Sequence, residues 1–166
     1  MLPIPRALLL AMALLVASGP GATAQPLPGP EGPVLLTLSQ PGGQTIRLDR
    51  AALAAFPATS LRTTTIWTAG PQTFTGVTLR DLMTRIGAGG QALRAHAVND
   101  YAIDIPWSDV TSGTALIAYT RNGQPMSVRD KGPLWLVYPY DSDPVFRQET
   151  HHARSVWQLD RIEVIP

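Results

Sequence analysis

The run Gly132-Pro133-Leu134-Trp135-Leu136-Val137-Tyr138-Pro139 decides the fold. Residues 134–138 are nearly all apolar and show no polar alternation, as in a central strand covered on both faces. Upstream, residues 116–120 and 125–128 flank Asn122-Gly123, a strong short-range hairpin signal because both residues tolerate positive φ. Earlier still, residues 93–98 and 101–105 are two strand segments around the turn pair Asn99-Asp100. Downstream, residues 156–165 alternate well enough to close a sheet.

The first half mixes strands with short helices. Residues 34–39 read as a strand, Gly42-Gly43 turns the chain, and residues 45–48 alternate like a paired strand. Asp49 caps a short helix that runs to Ala55 and stops before Pro57. Residues 61–67, rich in Thr and Ile, read as a further strand. Thr78 and Asp81 then form a capping box for a helix whose apolar stripe is Leu79, Leu82, Met83 and Ile86, closed by Gly87. Gly87, Gly89 and Gly90 follow a helix instead of joining strand to helix, so they form a connection and not a nucleotide loop. Strands outnumber helices without regular alternation, which gives an α+β fold with a mixed or mostly antiparallel sheet.

The N-terminus sets the compartment. Arg6 precedes an apolar run over residues 7–17; Gly19-Pro20-Gly21 and the small residues Ala22-Thr23-Ala24 follow. That order is a secretory signal peptide over residues 1–24, with cleavage before Gln25 and a periplasmic or secreted product. The run is far shorter than the roughly 20 residues of a spanning helix. No later segment is long or apolar enough to span, so no membrane span is expected after cleavage. Residues 25–33, with Pro26, Pro28, Pro30 and Pro33, read as an extended linker, and residues 34–166 as one domain.

Composition excludes several function classes. The chain has no cysteine, hence no disulfide framework, thiolate nucleophile or thiolate metal ligand. Of its 13 Lys+Arg only Arg6 lies before Gln25, which leaves 12 against 12 Asp+Glu in the mature chain. That balance argues against nucleic acid as a partner. His151 and His152 are adjacent and diverge on either a strand or a helix, so with His96 they make no ready chelate. Asp141 and Asp143 lack the Gly and Glu of a calcium loop, and no Gly-x-Ser-x-Gly elbow is present. Four tryptophans, Trp67, Trp107, Trp135 and Trp157, are core material first and ligand walls second.

Several segments in order resemble the molybdopterin-binding domain of sulfite-oxidase-type oxidoreductases and their small exported relatives. They are Phe74-Thr75-Gly76-Val77-Thr78-Leu79, Asn99-Asp100-Tyr101, Asn122-Gly123-Gln124-Pro125-Met126, the run at 132–139, and Ser155-Val156-Trp157. The resemblance implies the sulfite-oxidase-type fold: a strand-rich mixed sheet with a few short helices. In that family a cysteine thiolate, ending a Thr-rich strand before Ala-Gly, helps hold molybdenum. Here Thr63-Thr64-Thr65-Ile66-Trp67-Thr68-Ala69-Gly70 puts Thr68 at that place. A threonine hydroxyl is a hard, weakly acidic donor where the metal takes a soft thiolate.

The resulting expectation is an exported, cofactor-free ligand-binding or interaction module whose partner is a small ligand or another periplasmic protein. Its cleft is expected near Thr68, lined by Trp67, Tyr101, Trp135 and Tyr138. The alternative is a periplasmic oxidoreductase that binds molybdopterin without a cysteine bond. Intact-mass analysis of the protein from a periplasmic extract should give a chain beginning at Gln25; an unprocessed chain starting at Met1 would refute the leader reading.

Overall fold

A computed structural model describes Leu27 and residues 29–166. The signal-peptide reading of residues 1–24 lies outside the described residues. Two sheets share one hydrophobic core. The first has the order β2-β1-β10-β5-β6, formed by β1 (Leu36–Ser39), β2 (Thr45–Leu48), β5 (Ala92–Ala97), β6 (Ala102–Pro106) and β10 (Leu159–Ile165). The second runs β3-β4-β7-β8 with β9 also on β7, from β3 (Thr59–Thr63), β4 (Gln72–Thr78), β7 (Leu116–Arg121), β8 (Gln124–Pro125) and β9 (Trp135–Val137). Among the described residues only β1 and β10 pair in parallel, so the α+β architecture is a mixed one. Among the described residues four short α-helices complete it: α1 (Arg50–Ala54), α2 (Leu79–Arg85), α3 (Trp107–Ser112) and α4 (Glu149–Arg154).

Side-chain periodicity explains the first sheet. Leu36 and Leu38 on β1, and Leu93, Ala95 and Ala97 on β5, point inward at alternate positions, while Arg94 stays in solvent. On β10 a register shift between Leu159 and Arg161 lets Leu159 and Ile162, three apart, both face the core.

In the second sheet, Leu116, Ile117 and Ala118 on β7 and all of β9 are fully covered, as the apolar run at 134–138 implies. The strand there is shorter than the run: Trp135–Val137 pairs with β7 on one edge and meets Trp157 in a single bridge on the other. Leu136 N–H donates to Val156 O at 2.8 Å, and Leu159 N–H to Leu134 O at 3.1 Å, so β9 stitches the second sheet to the start of β10.

Local signals hold where the chain itself supplies the partner. Asp49 caps α1 by accepting Ala52 N–H at 2.8 Å, and its other oxygen accepts Glu31 and Gly32 N–H at 2.9 and 2.8 Å. Glu31 and Gly32 are thereby tied to the start of α1. Those donors, that of Ala52 first, hold the Asp49 carboxyl below its ordinary value. Thr78 accepts Asp81 N–H at 3.0 Å and donates to its carboxylate at 2.7 Å. Asn122 and Gly123 take φ of 51° and 77°, as a tight primed turn requires.

Two expectations need correction. The strand expected at 61–67 is β3 at Thr59–Thr63, because from Thr64 onward threonine hydroxyls and Asp141 capture the backbone that a ladder would use. The segment expected at 125–128 contributes only Pro125 to β8 before Ser127 caps a 3₁₀ turn, Val128–Asp130. Helices α3 and α4 go unread in the sequence. No helix among the described residues is long and apolar enough to cross a membrane.

Gly76 sits where β4 bulges against β7; a Cβ there would lie 1.9 Å from Ile117 O. Gly76→Ala should lower the unfolding free energy by roughly 2 kcal/mol or more, whereas Gly89→Ala, with nothing within 4 Å, should be near neutral. Urea denaturation of the pair checks this; equal effects would refute the close-approach explanation.

Candidate functional site

The loop after β3 carries Trp67 and Thr68 and is held from two sides. Inside it, the Thr65 and Thr68 hydroxyls share a hydrogen bond at 2.8 Å, and Trp67 N–H donates to Thr65 Oγ1 at 3.1 Å. From outside, Asp141 accepts Thr64 N–H at 2.6 Å and the Thr64 hydroxyl, while its own N–H donates to Thr63 Oγ1 at 3.2 Å. The bonds from Thr64 hold the Asp141 carboxyl below its ordinary value.

Trp67 then enters an aromatic cluster. Its ring meets those of Trp157, His152 and Trp135 edge to face, with centroids 5.4, 5.6 and 5.8 Å away. A cavity of about 400 Å³ opens beside it. Its walls are Trp67, Tyr101, Trp157 and Val156, with the polar groups of Asn99, Glu149, His152 and Ser155 around them. The β5–β6 turn supplies Asn99 and Tyr101, whose hydroxyl donates to Ala153 O at 3.0 Å and ties that turn to α4.

Helix α4 is placed by a second polar cluster behind the cavity. Arg154 donates to Asp109 Oδ2 at 3.2 Å, and the Tyr138 hydroxyl donates to the same oxygen at 2.8 Å. Burial first, then the Asp109 charge, pushes the Tyr138 hydroxyl far above its ordinary pKa, so it acts as a donor throughout the accessible pH range. Burial lowers the pKa of His151, whose ring packs edge-on against Tyr138 and Phe146. His152 faces the other way, onto Trp67 and Tyr140. The two histidines diverge on a helix as their adjacency implies, and His96 lies on β5 near Glu163. Among the described residues no group of three metal-ligating side chains comes together.

Of the residues singled out in the sequence, Trp67 and Tyr101 line one cavity. Trp135 and Tyr138 are fully covered instead of lining it: Trp135 packs between Phe74 and Trp67, and Tyr138 serves α4. The reason is that residues 134–138 are walled on both faces. Thr68 is not a lining residue, and its hydroxyl is engaged by Thr65. Sequence reasoning missed Glu149 and His152 as walls and ranked Trp157 as core first and ligand wall second. An acidic start and basic end at Glu149–Arg154, which suit a helix dipole, were the available signal for α4.

The model of the oxidoreductase molybdopterin binding domain matches residues 45–142. The chain belongs to that family. Among solved structures, the sulfane dehydrogenase SoxCD from Paracoccus pantotrophus is similar, with a TM-score of 0.58 and 18% identity. The match covers 78% of this chain and 37% of that one, so the chain spans well under half the length of its structural relative. At that identity the likeness is one of fold. No curated protein matches the sequence.

The residues present do not fit the family's metal centre. The chain has no cysteine, and the hydroxyl at the corresponding position is hard and internally bonded. Among the described residues that line the cavity, the ionisable side chains are Glu149, His152 and Tyr101, without an Arg or Lys to grip a phosphate.

Because the folded pKa of Asp141 is depressed, the stability it lends is present above the ordinary aspartate value of 3.8 and is lost as pH falls through the lower folded value. Asp141→Ala should therefore be less stable than the wild type at neutral pH and perturb the near-ultraviolet signal of Trp67. Chemical denaturation across pH should show the gap closing below pH 3.8; a gap constant with pH would refute the carboxylate's role.

Proposed function

We propose that this protein is an exported, cofactor-free ligand-binding module on the oxidoreductase molybdopterin-binding fold, and that the cavity beside Trp67 is its binding site. The observation that carries the reading is the donor set: a hydroxyl at position 68 and a cavity lining without a lysine or arginine. A volume of about 400 Å³ falls within the usual range for small-molecule sites, and the mixture of aromatic walls with a few polar groups is typical of them. Export is supported by the order of charge, apolar run and small residues over 1–24. The fold by itself carries no activity, since one scaffold supports many functions through its local side chains.

The full precursor should be made in a bacterium that synthesises molybdopterin, and the periplasmic product assayed for molybdenum, tungsten and released pterin fluorescence. Folded protein with neither metal nor pterin is the expected result. Stoichiometric molybdenum or tungsten with pterin would overturn the reading in favour of an oxidoreductase that holds its cofactor without a cysteine, and loss of the metal in Thr68→Val would locate it.

A further inference from the structure

From the walls of this cavity we infer that its ligand is a compact organic cation, an alkylated or quaternary ammonium group; the inference rests on the ligand-binding reading above. Trp67, Tyr101 and Trp157 supply three aromatic walls, and the two indoles stand at 82° with centroids 5.4 Å apart. Two rings at a right angle make a corner that suits a rounded group better than a long flat one.

Aromatic faces carry the negative lobe of the ring quadrupole and attract a cation within about 6 Å of the centroid. The molecule already uses this attraction: Lys131 Nζ lies 4.6 Å from the Trp157 centroid and 5.9 Å from that of Trp135. Lys131 is not a lining residue, so the cavity contains no ammonium of its own.

Within the lining the charge agrees with the aromatic walls, Lys131 on Trp157 being a like charge outside it. Glu149 contributes a carboxylate to the lining, and no ion pair among the described residues neutralises it. An anionic ligand would meet that carboxylate with no guanidinium or ammonium in the lining to receive it. A small inorganic cation would have to exchange strongly held water for apolar surface. An alkylated ammonium is weakly hydrated, carries its charge on methyl groups and presents a shape that fills an aromatic corner.

The test uses the purified full chain, with tryptophan fluorescence and calorimetry following titration by choline and by its uncharged tert-butyl isostere, in which carbon replaces nitrogen. Choline should bind saturably, and the isostere about tenfold more weakly, the scale of a partly desolvated cation–π contact. Glu149→Gln should weaken choline roughly two- to fivefold, as expected of an exposed charge, and leave the isostere unchanged. Tyr101→Leu, at a residue that is 44% exposed, removes an aromatic face and also the hydroxyl bond to Ala153 O. Measured against Tyr101→Phe, which loses the hydroxyl alone, it should lower choline affinity more than isostere affinity, with circular dichroism verifying the fold of both. Equal affinity for choline and the isostere would overturn the cation inference but leave a ligand-binding cavity in place. Binding of neither would overturn the cation inference and count against the cavity as a binding site as well.

Discussion

The structure turns on three residues, Trp135–Val137, whose backbone is used on both edges. One edge pairs with Leu116–Ala118 of β7, and the other meets the segment around Trp157 that leads into β10. Without this double pairing the two sheets would have no shared ladder between them. The covered side chains follow from it: Trp135 lies against Phe74 on one side and Trp67 on the other, so the core continues without a break into the aromatic cluster that walls the cavity. The candidate site is in this sense the exposed end of the core.

Such an origin explains why a rigid site can form on loops. Trp67 comes from a loop with no ladder of its own, yet Asp141 and Thr65 accept two of its backbone N–H groups, and the hydroxyls of Thr63, Thr64, Thr65 and Thr68 hold it through further bonds. Helix α4 has six residues and would not persist alone. It is held by Arg154 on Asp109, by the Tyr101 hydroxyl on Ala153 O, and by His151 packed against Tyr138 and Phe146. Asp109, Tyr138, Asp141 and Arg154 thus brace the cavity walls without lining the cavity.

Membership of the family rests on the scaffold, whereas the proposal that the cofactor is not held rests on a few side chains. Segments that build the scaffold, such as Gly76 packed against Ile117 or the Asn122-Gly123 turn, are dictated by backbone geometry. The ligand set depends on far fewer side chains, and exchanging a soft thiolate for a hydroxyl alters what the position can hold without disturbing the strand that precedes it.

What the sequence determined by itself is local. The capping residues Asp49 and Thr78, the Asn122-Gly123 turn, the alternation of β1 and β5, and the covered run at 134–138 are interactions among near neighbours, and composition alone excluded a thiolate centre. Tertiary structure decided the rest. It ended β3 at Thr63, because the competing hydrogen bonds come from Asp141, far along the chain. It made helices of 107–112 and 149–154, whose sequences carry little intrinsic preference for one. It withdrew Trp135 and Tyr138 into the core and brought Glu149, His152 and Trp157 to face Trp67 and Tyr101. Local rules specify partners a few residues apart, whereas a cavity is enclosed by residues whose meeting depends on how the sheets pair.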